Sequence, residues 1–137
     1  MRSSTGGFGA GLCLGMAVLL LGAPARAQTN ATNIALKSGE SLELHGVSWT
    51  ANCRSLLLGT PEVEVLDGPT ELSLAVKPGM IMARRQNCPS PVPGGTVIAT
   101  ATEIKAPKEV KLVYRVKYKT KDGDRQQSHV YNVSLFP

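Results

Sequence analysis

Beyond residue 38 the chain alternates apolar and polar residues with a period of two, the pattern of strands that bury one face. Residues 41–49 place Leu42 and Leu44 in phase, lose phase at Gly46, and resume at Val47 and Trp49. A glycine at such a break predicts a β-bulge. Residues 62–66 set Val63 and Val65 on one face and Glu62 and Glu64 on the other, ahead of the turn Asp67-Gly68-Pro69. Leu72, Leu74 and Val76 repeat the alternation, and Lys77-Pro78-Gly79 is expected to stop it. Residues 80–86 are a further candidate strand. Residues 88–95 read as a rigid loop in which Pro89, Pro91 and Pro93 favour an extended course. Residues 96–104, rich in Thr, Val and Ile, predict another strand, which Ala106-Pro107 breaks. No stretch after the first 27 residues keeps a helical period long enough for a confident helix, although residues 53–58 could form one turn. Short strands at this spacing predict an all-β fold, a single immunoglobulin-like antiparallel β-sandwich of about seven strands.

The clearest element lies near the C-terminus. Residues 110–121 and 124–136 alternate on either side of Asp122-Gly123, which predicts a long hairpin closed by a type I′ turn. Placing Lys121 opposite Asp124 sets Leu112 against Val133, Tyr114 against Tyr131, Val116 against His129, and Tyr118 against Gln127. The other face then pairs Val113 with Asn132, Arg115 with Val130, Lys117 with Ser128, and Lys119 with Gln126. One face is apolar and aromatic, the other basic and polar, and a slip of one residue would scramble that separation. Lys111, Arg115, Lys117, Lys119 and Lys121 form a basic stripe that could attract a protein or an anionic envelope polymer. A solvated face whose lysines discourage edge-to-edge aggregation is the alternative.

The start of the chain changes the charge and cysteine accounts. Arg2, the apolar residues 11–22, and Ala25-Arg26-Ala27 have the order of a secretory signal peptide spanning residues 1–27, with cleavage before Gln28. The apolar run is too short for a transmembrane anchor. Of 137 residues, 110 would remain, with 13 basic and 10 acidic residues, so the formal charge of +5 falls to +3. Cys13 would leave with the signal. Cys53 and Cys88 remain, and an even pair in an exported domain predicts a disulfide. Residues 28–38 are polar and without period, and are expected to be a flexible lead-in to a domain over residues 39–137. The cleavage region has a bacterial character, which implies a periplasmic or secreted location.

Most chemistries find no matching pattern. His45 and His129 are the only histidines, no G-x-S-x-G motif occurs, and Glu62 and Glu64 have the ordinary spacing of a strand's outward side. No phosphate-binding or dinucleotide glycine motif is present, so neither an enzyme nor a cofactor is expected. Nucleic acid is not an expected partner, because no aromatic residue clearly interleaves with the stripe. Met80 and Met82 could offer thioether sulfur to Cu(I) with His45 or His129, the competing reading being two core-filling methionines. The stretch Ala106-Pro107-Lys108-Glu109-Val110-Lys111-Leu112 and the Asp122-Gly123 turn resemble those of periplasmic copper-resistance domains. That resemblance implies an immunoglobulin-like fold. It also implies metal ligands at a mature N-terminal histidine and at a histidine after the turn, positions at which this chain has Gln28 and Asp124. The function expected is a non-enzymatic envelope binding or accessory module, acting through the basic face or the proline-rich loop. Inhibition of a protease or lysozyme by that loop is the first alternative, and copper binding the second.

Overall fold

The computed structural model of the chain describes residue 6 and residues 31–137, so the expected signal segment lies outside the described residues apart from Gly6. The fold is a two-layer β-sandwich, with nine strands among the described residues: β1 (Thr32–Lys37), β2 (Ser41–Val47), β3 (Thr50–Ala51), β4 (Arg54–Ser55), β5 (Glu62–Asp67), β6 (Leu72–Ile81), β7 (Val92–Ala101), β8 (Lys108–Thr120) and β9 (Gly123–Phe136). One layer has the order β1-β9-β8-β5 and the other β2-β7-β6, while β3 and β4 form a small separate hairpin. Among the described residues no helix is long and apolar enough to cross a membrane.

The core follows from the alternation. Leu112, Tyr114, Val116 and Tyr118 of β8 are buried at every second position and meet Val97, Ala99 and Ala101 of β7 in one apolar cluster. Small residues on β7 facing large ones on β8 let the layers interdigitate, as close packing requires. Trp49, just past β2, lies over Tyr118 with ring centroids 5.2 Å apart. β7 is central in its sheet and is flanked closely on both sides. A Cβ on Gly95 would lie 2.5 Å from Val76 Cγ1, so only glycine fits there without displacing a neighbour.

Several boundaries differ from the sequence reading. The expected lead-in contains β1, which pairs in parallel with β9 from Thr32 opposite Tyr131 to Lys37 opposite Phe136, so the sandwich is not purely antiparallel. Only Ile34 and Leu36 of β1 pack inward, too few to stand out in a polar segment. Pro78 and Gly79 do not stop the strand. β6 runs through them to Ile81, because it is an edge strand where a missing N–H leaves no neighbour unsatisfied. Residues 84–86 then form a single 3-10 turn rather than more strand. The anticipated helical turn at 53–58 is instead part of the β3–β4 hairpin. Its two central residues, Asn52 and Cys53, sit at φ 50° and 58°, the backbone of a type I′ turn.

The long hairpin forms with its register moved by two residues. Leu112 pairs with Tyr131, Tyr114 with His129, Val116 with Gln127, and Thr120 with Gly123. A type I′ turn at Asp122-Gly123 needs positive φ at both, and only Gly123, at 105°, has it. The chain turns one residue earlier, through Lys121 and Asp122. Thr120 Oγ1 accepts from the Asp122 amide at 3.2 Å and donates to the Gly123 carbonyl at 2.6 Å. A shift by two, unlike a shift by one, keeps every side chain on its face.

Candidate functional site

All five residues of the basic stripe lie on or beside β8, as the sequence implies, but not as an isolated cationic row. Arg115 is half-buried, Lys111, Lys117 and Lys119 are exposed on the outward face, and Lys121 sits in the turn. β5 runs antiparallel to β8 and sets Glu62 opposite Lys117 and Glu64 opposite Arg115. The Glu64 carboxylate accepts from Arg115 Nε at 2.8 Å and from Lys117 Nζ at 2.8 Å. Arg115 first and Lys117 second hold this carboxyl down to about 2. Asp124 faces Lys119 across the hairpin. The alternation of Glu62 and Glu64 is legible in the sequence, but not which strand they flank. The outward face is therefore a mosaic of both signs.

At the hairpin tip this mosaic borders a cavity that no sequence pattern announced. Beyond β5 the edge of β8 is continued by residues 56–58: the Leu58 amide donates to the Lys119 carbonyl and the Lys121 amide to the Leu56 carbonyl, both at 2.9 Å. Leu58 lies beside Lys119 and Glu62 beside Lys117, so Gly59, Thr60 and Pro61 span a single ladder position, that of Tyr118, and the chain must bulge there. A cavity of about 460 Å³ lies at this loop, lined by Leu58, Tyr118, Lys117, Lys119 and Arg125 among others. Leu58 is 66% exposed where it lines this cavity. Arg125 joins the site because the two-residue register change places it opposite Tyr118.

The proline-rich loop is shorter than expected. Pro93 belongs to β7 and pairs with Met80, leaving Pro89 and Pro91 exposed in the connection that follows Cys88. Cys88 is bonded to Cys53 with Cα atoms 5.4 Å apart, which ties this connection to the β3–β4 hairpin. Met80 and Met82 are 63% and 44% exposed, so they do not fill the core. Met82 lies past the end of β6. His45 meets β7 at Val97, four residues from the Met80 partner Pro93, roughly 13 Å along the strand. The methionines and His45 do not share a strand position, and among the described residues no group of three His, Cys, Asp or Glu is placed to hold a metal ion.

The two histidines come together instead. A register shift between Glu43 and His45, close to the expected bulge but ahead of Gly46, turns His45 toward the opposite sheet. His45 and His129 have ring centroids 4.4 Å apart. His45 Nε2 and the Tyr114 hydroxyl are 2.6 Å apart, and Tyr131 stacks beside Tyr114 with centroids at 5.9 Å. Burial, followed by the neighbouring His45 and then Arg85, lowers the His129 pKa to about 4; burial also lowers that of His45, and it raises that of the Tyr114 phenol. A histidine with a depressed folded-state pKa contributes stability above its unfolded value of 6.5, and loses it as pH falls to about 4. Discounted for partial exposure, the expected loss across that window is about 2 kcal/mol. Urea midpoints measured from pH 7 to pH 4 should fall accordingly, and His129→Gln should flatten the curve. A slope unchanged in His129→Gln would show that the pair does not set it. Glu64, held down from 4.5 to about 2, begins to lose its contribution only as pH falls through about 4.5, at the acid end of this window, so the part of the slope between pH 6.5 and about 5 reports the histidines.

No protein-family model, no curated protein and no solved structure matches this chain.

Proposed function

We propose that the protein is a non-enzymatic, exported binding module that engages another protein through the outward face of β8 and the hairpin tip. The observation that carries this reading is the tip cavity, where exposed Leu58 and the buried Tyr118 ring adjoin Lys117, Lys119 and Arg125. An apolar floor with a charged rim is the usual make-up of a protein contact. The acids Glu62, Glu64 and Asp124 interleave with the stripe and favour a protein, which can match both signs, over a uniform polyanion. The Cys53–Cys88 bridge fits an oxidising compartment, which supports export. The strand orders β2-β7-β6 and β9-β8-β5 correspond to B-E-D and G-F-C of immunoglobulin sandwiches, which supports an immunoglobulin-like reading. The imidazoles are engaged with each other and with Tyr114 rather than with a nucleophile, which fits a binding role.

The test is crosslinking capture from native envelope by the wild-type protein and by Lys117→Glu with Lys119→Glu. The double variant should lose roughly tenfold of the captured partner, about 1.4 kcal/mol, while staying folded with a small drop in Tm, because the new carboxylates face Glu62, Glu64 and Asp124. Leu58→Ser should weaken capture without altering its salt dependence. Capture that survives both changes would refute the site.

A further inference from the structure

β9 pairs with β8 from Gly123 to Leu135, but β1 covers its other side only over residues 131–136. Residues 124–130 therefore present backbone N–H and C=O groups that no described strand meets. The other sheet edges are interrupted or short. β6 carries Pro78 and Gly79, β2 and β5 carry register shifts, and β1 has six residues ending in Lys37. Residues 124–130 contain no proline, glycine or register shift. A second observation falls at the same place: His129 Nε2 is buried without a hydrogen-bond partner, two residues before Tyr131, where β1 begins.

We infer that this open edge accepts an extended acidic segment of another polypeptide, about seven residues long, added as a strand in line with β1. Arg125, Gln127 and His129 share the side of β9 that faces the opposite layer, the side on which Tyr131 and Val133 are buried. Arg85, in the 3-10 turn that follows β6, lies close enough to act on both His129 and His45, so with Arg125 it adds positive charge on this side. Asp124 and the stripe residues Lys117 and Lys119 lie on the opposite, outward face. Acidic residues at alternate positions of the added strand would point toward Arg125 and Arg85. A second copy does not fit: two β9 strands paired antiparallel over 124–130 would bring Gly123 of one against Tyr131 of the other, where Thr32 already sits. This inference rests on the binding-module reading but not on the contacts of the outward face: slowed exchange at residues 124–130 and envelope capture at the tip are separate readouts, and either can fail alone.

Amide hydrogen exchange followed by NMR tests it, with peptides of about ten residues as probes. A Thr-Glu alternating peptide should slow exchange within residues 124–130 roughly tenfold, and the same peptide N-methylated throughout should not. A Thr-Lys peptide should have a weaker effect. No slowing with either unmethylated peptide would overturn the edge site. So would exchange at 124–130 that is already as slow as at 131–136 before any peptide is added. Equal slowing by the Thr-Glu and Thr-Lys peptides would overturn the acidic assignment.

Discussion

Replacing Cys53 and Cys88 together by serine is expected to destabilise the fold by about 4 kcal/mol, the loop-closure entropy for a bridge of this span. The sequence separation is 35 residues, and the loop it closes contains β4, β5, β6 and the 3-10 turn. Most small domains have only about 5 to 15 kcal/mol in total, so this is a large fraction. For a domain of this size it corresponds to a fall in Tm of roughly 20 °C. The bridge also holds a local conformation that is unfavourable by itself. Cys53 lies at φ 58°, a left-handed backbone that costs a non-glycine residue about 1 kcal/mol. It packs with Ala83, Val92 and Ile81 in a small cluster apart from the main core. Without the bond, that satellite and the β3–β4 hairpin should open before the sandwich does. Thermal melts of the oxidised, reduced and double-serine proteins would test this, with hydrogen exchange locating the first opening. A Tm change under a few degrees would mean that the cluster, not the covalent bond, holds the hairpin.

Tyr114→Ala carries the second large effect, a loss of about 4 kcal/mol. The side chain is fully buried between the layers, stacks near Tyr131, and meets His45 through its hydroxyl. Truncation removes the ring and leaves a cavity that the surrounding strands can close only in part. Tyr114→Phe separates the two contributions. It keeps the ring and removes the hydrogen bond to His45, for an expected loss of about 1 to 2 kcal/mol. Urea denaturation of both variants gives the comparison. Equal losses would mean that the hydroxyl, not the ring volume, dominates at this position.

How far these features were legible depends on the distance over which each is specified. The period-two pattern of Leu112, Tyr114, Val116 and Tyr118 is local, and it placed β8, its buried face and its basic face correctly. The cysteine pair needed only counting. The register of the hairpin depended on whether the turn uses Asp122-Gly123 or Lys121-Asp122, a choice made by φ at single residues and by the Thr120 hydroxyl. β1 was missed because its stability comes from parallel pairing with residues far along the chain, not from its own composition. Pro78 reads as a stop unless the strand is known to lie at an edge. The candidate site suffered most from this locality. Its acids Glu62 and Glu64 come from β5, its leucine from the segment before Gly59, and Asp124 and Arg125 take their places from the displaced register. The pairing of His45 with His129 likewise depends on a bulge whose phase only the neighbouring β7 reveals.

The parallel pairing of β1 with β9 also governs how the chain reaches this structure. Thr32 lies beside Tyr131, so this sheet cannot be completed until segments nearly a hundred residues apart have met, for Asn33 and Asn132 are 99 positions apart. Domains dominated by such distant contacts fold in about milliseconds to seconds rather than microseconds. While β1 is undocked, the whole length of β9 stands open on one side, not only residues 124–130. Docking of the six-residue β1 closes the apolar half of that edge, and no described strand covers the polar half.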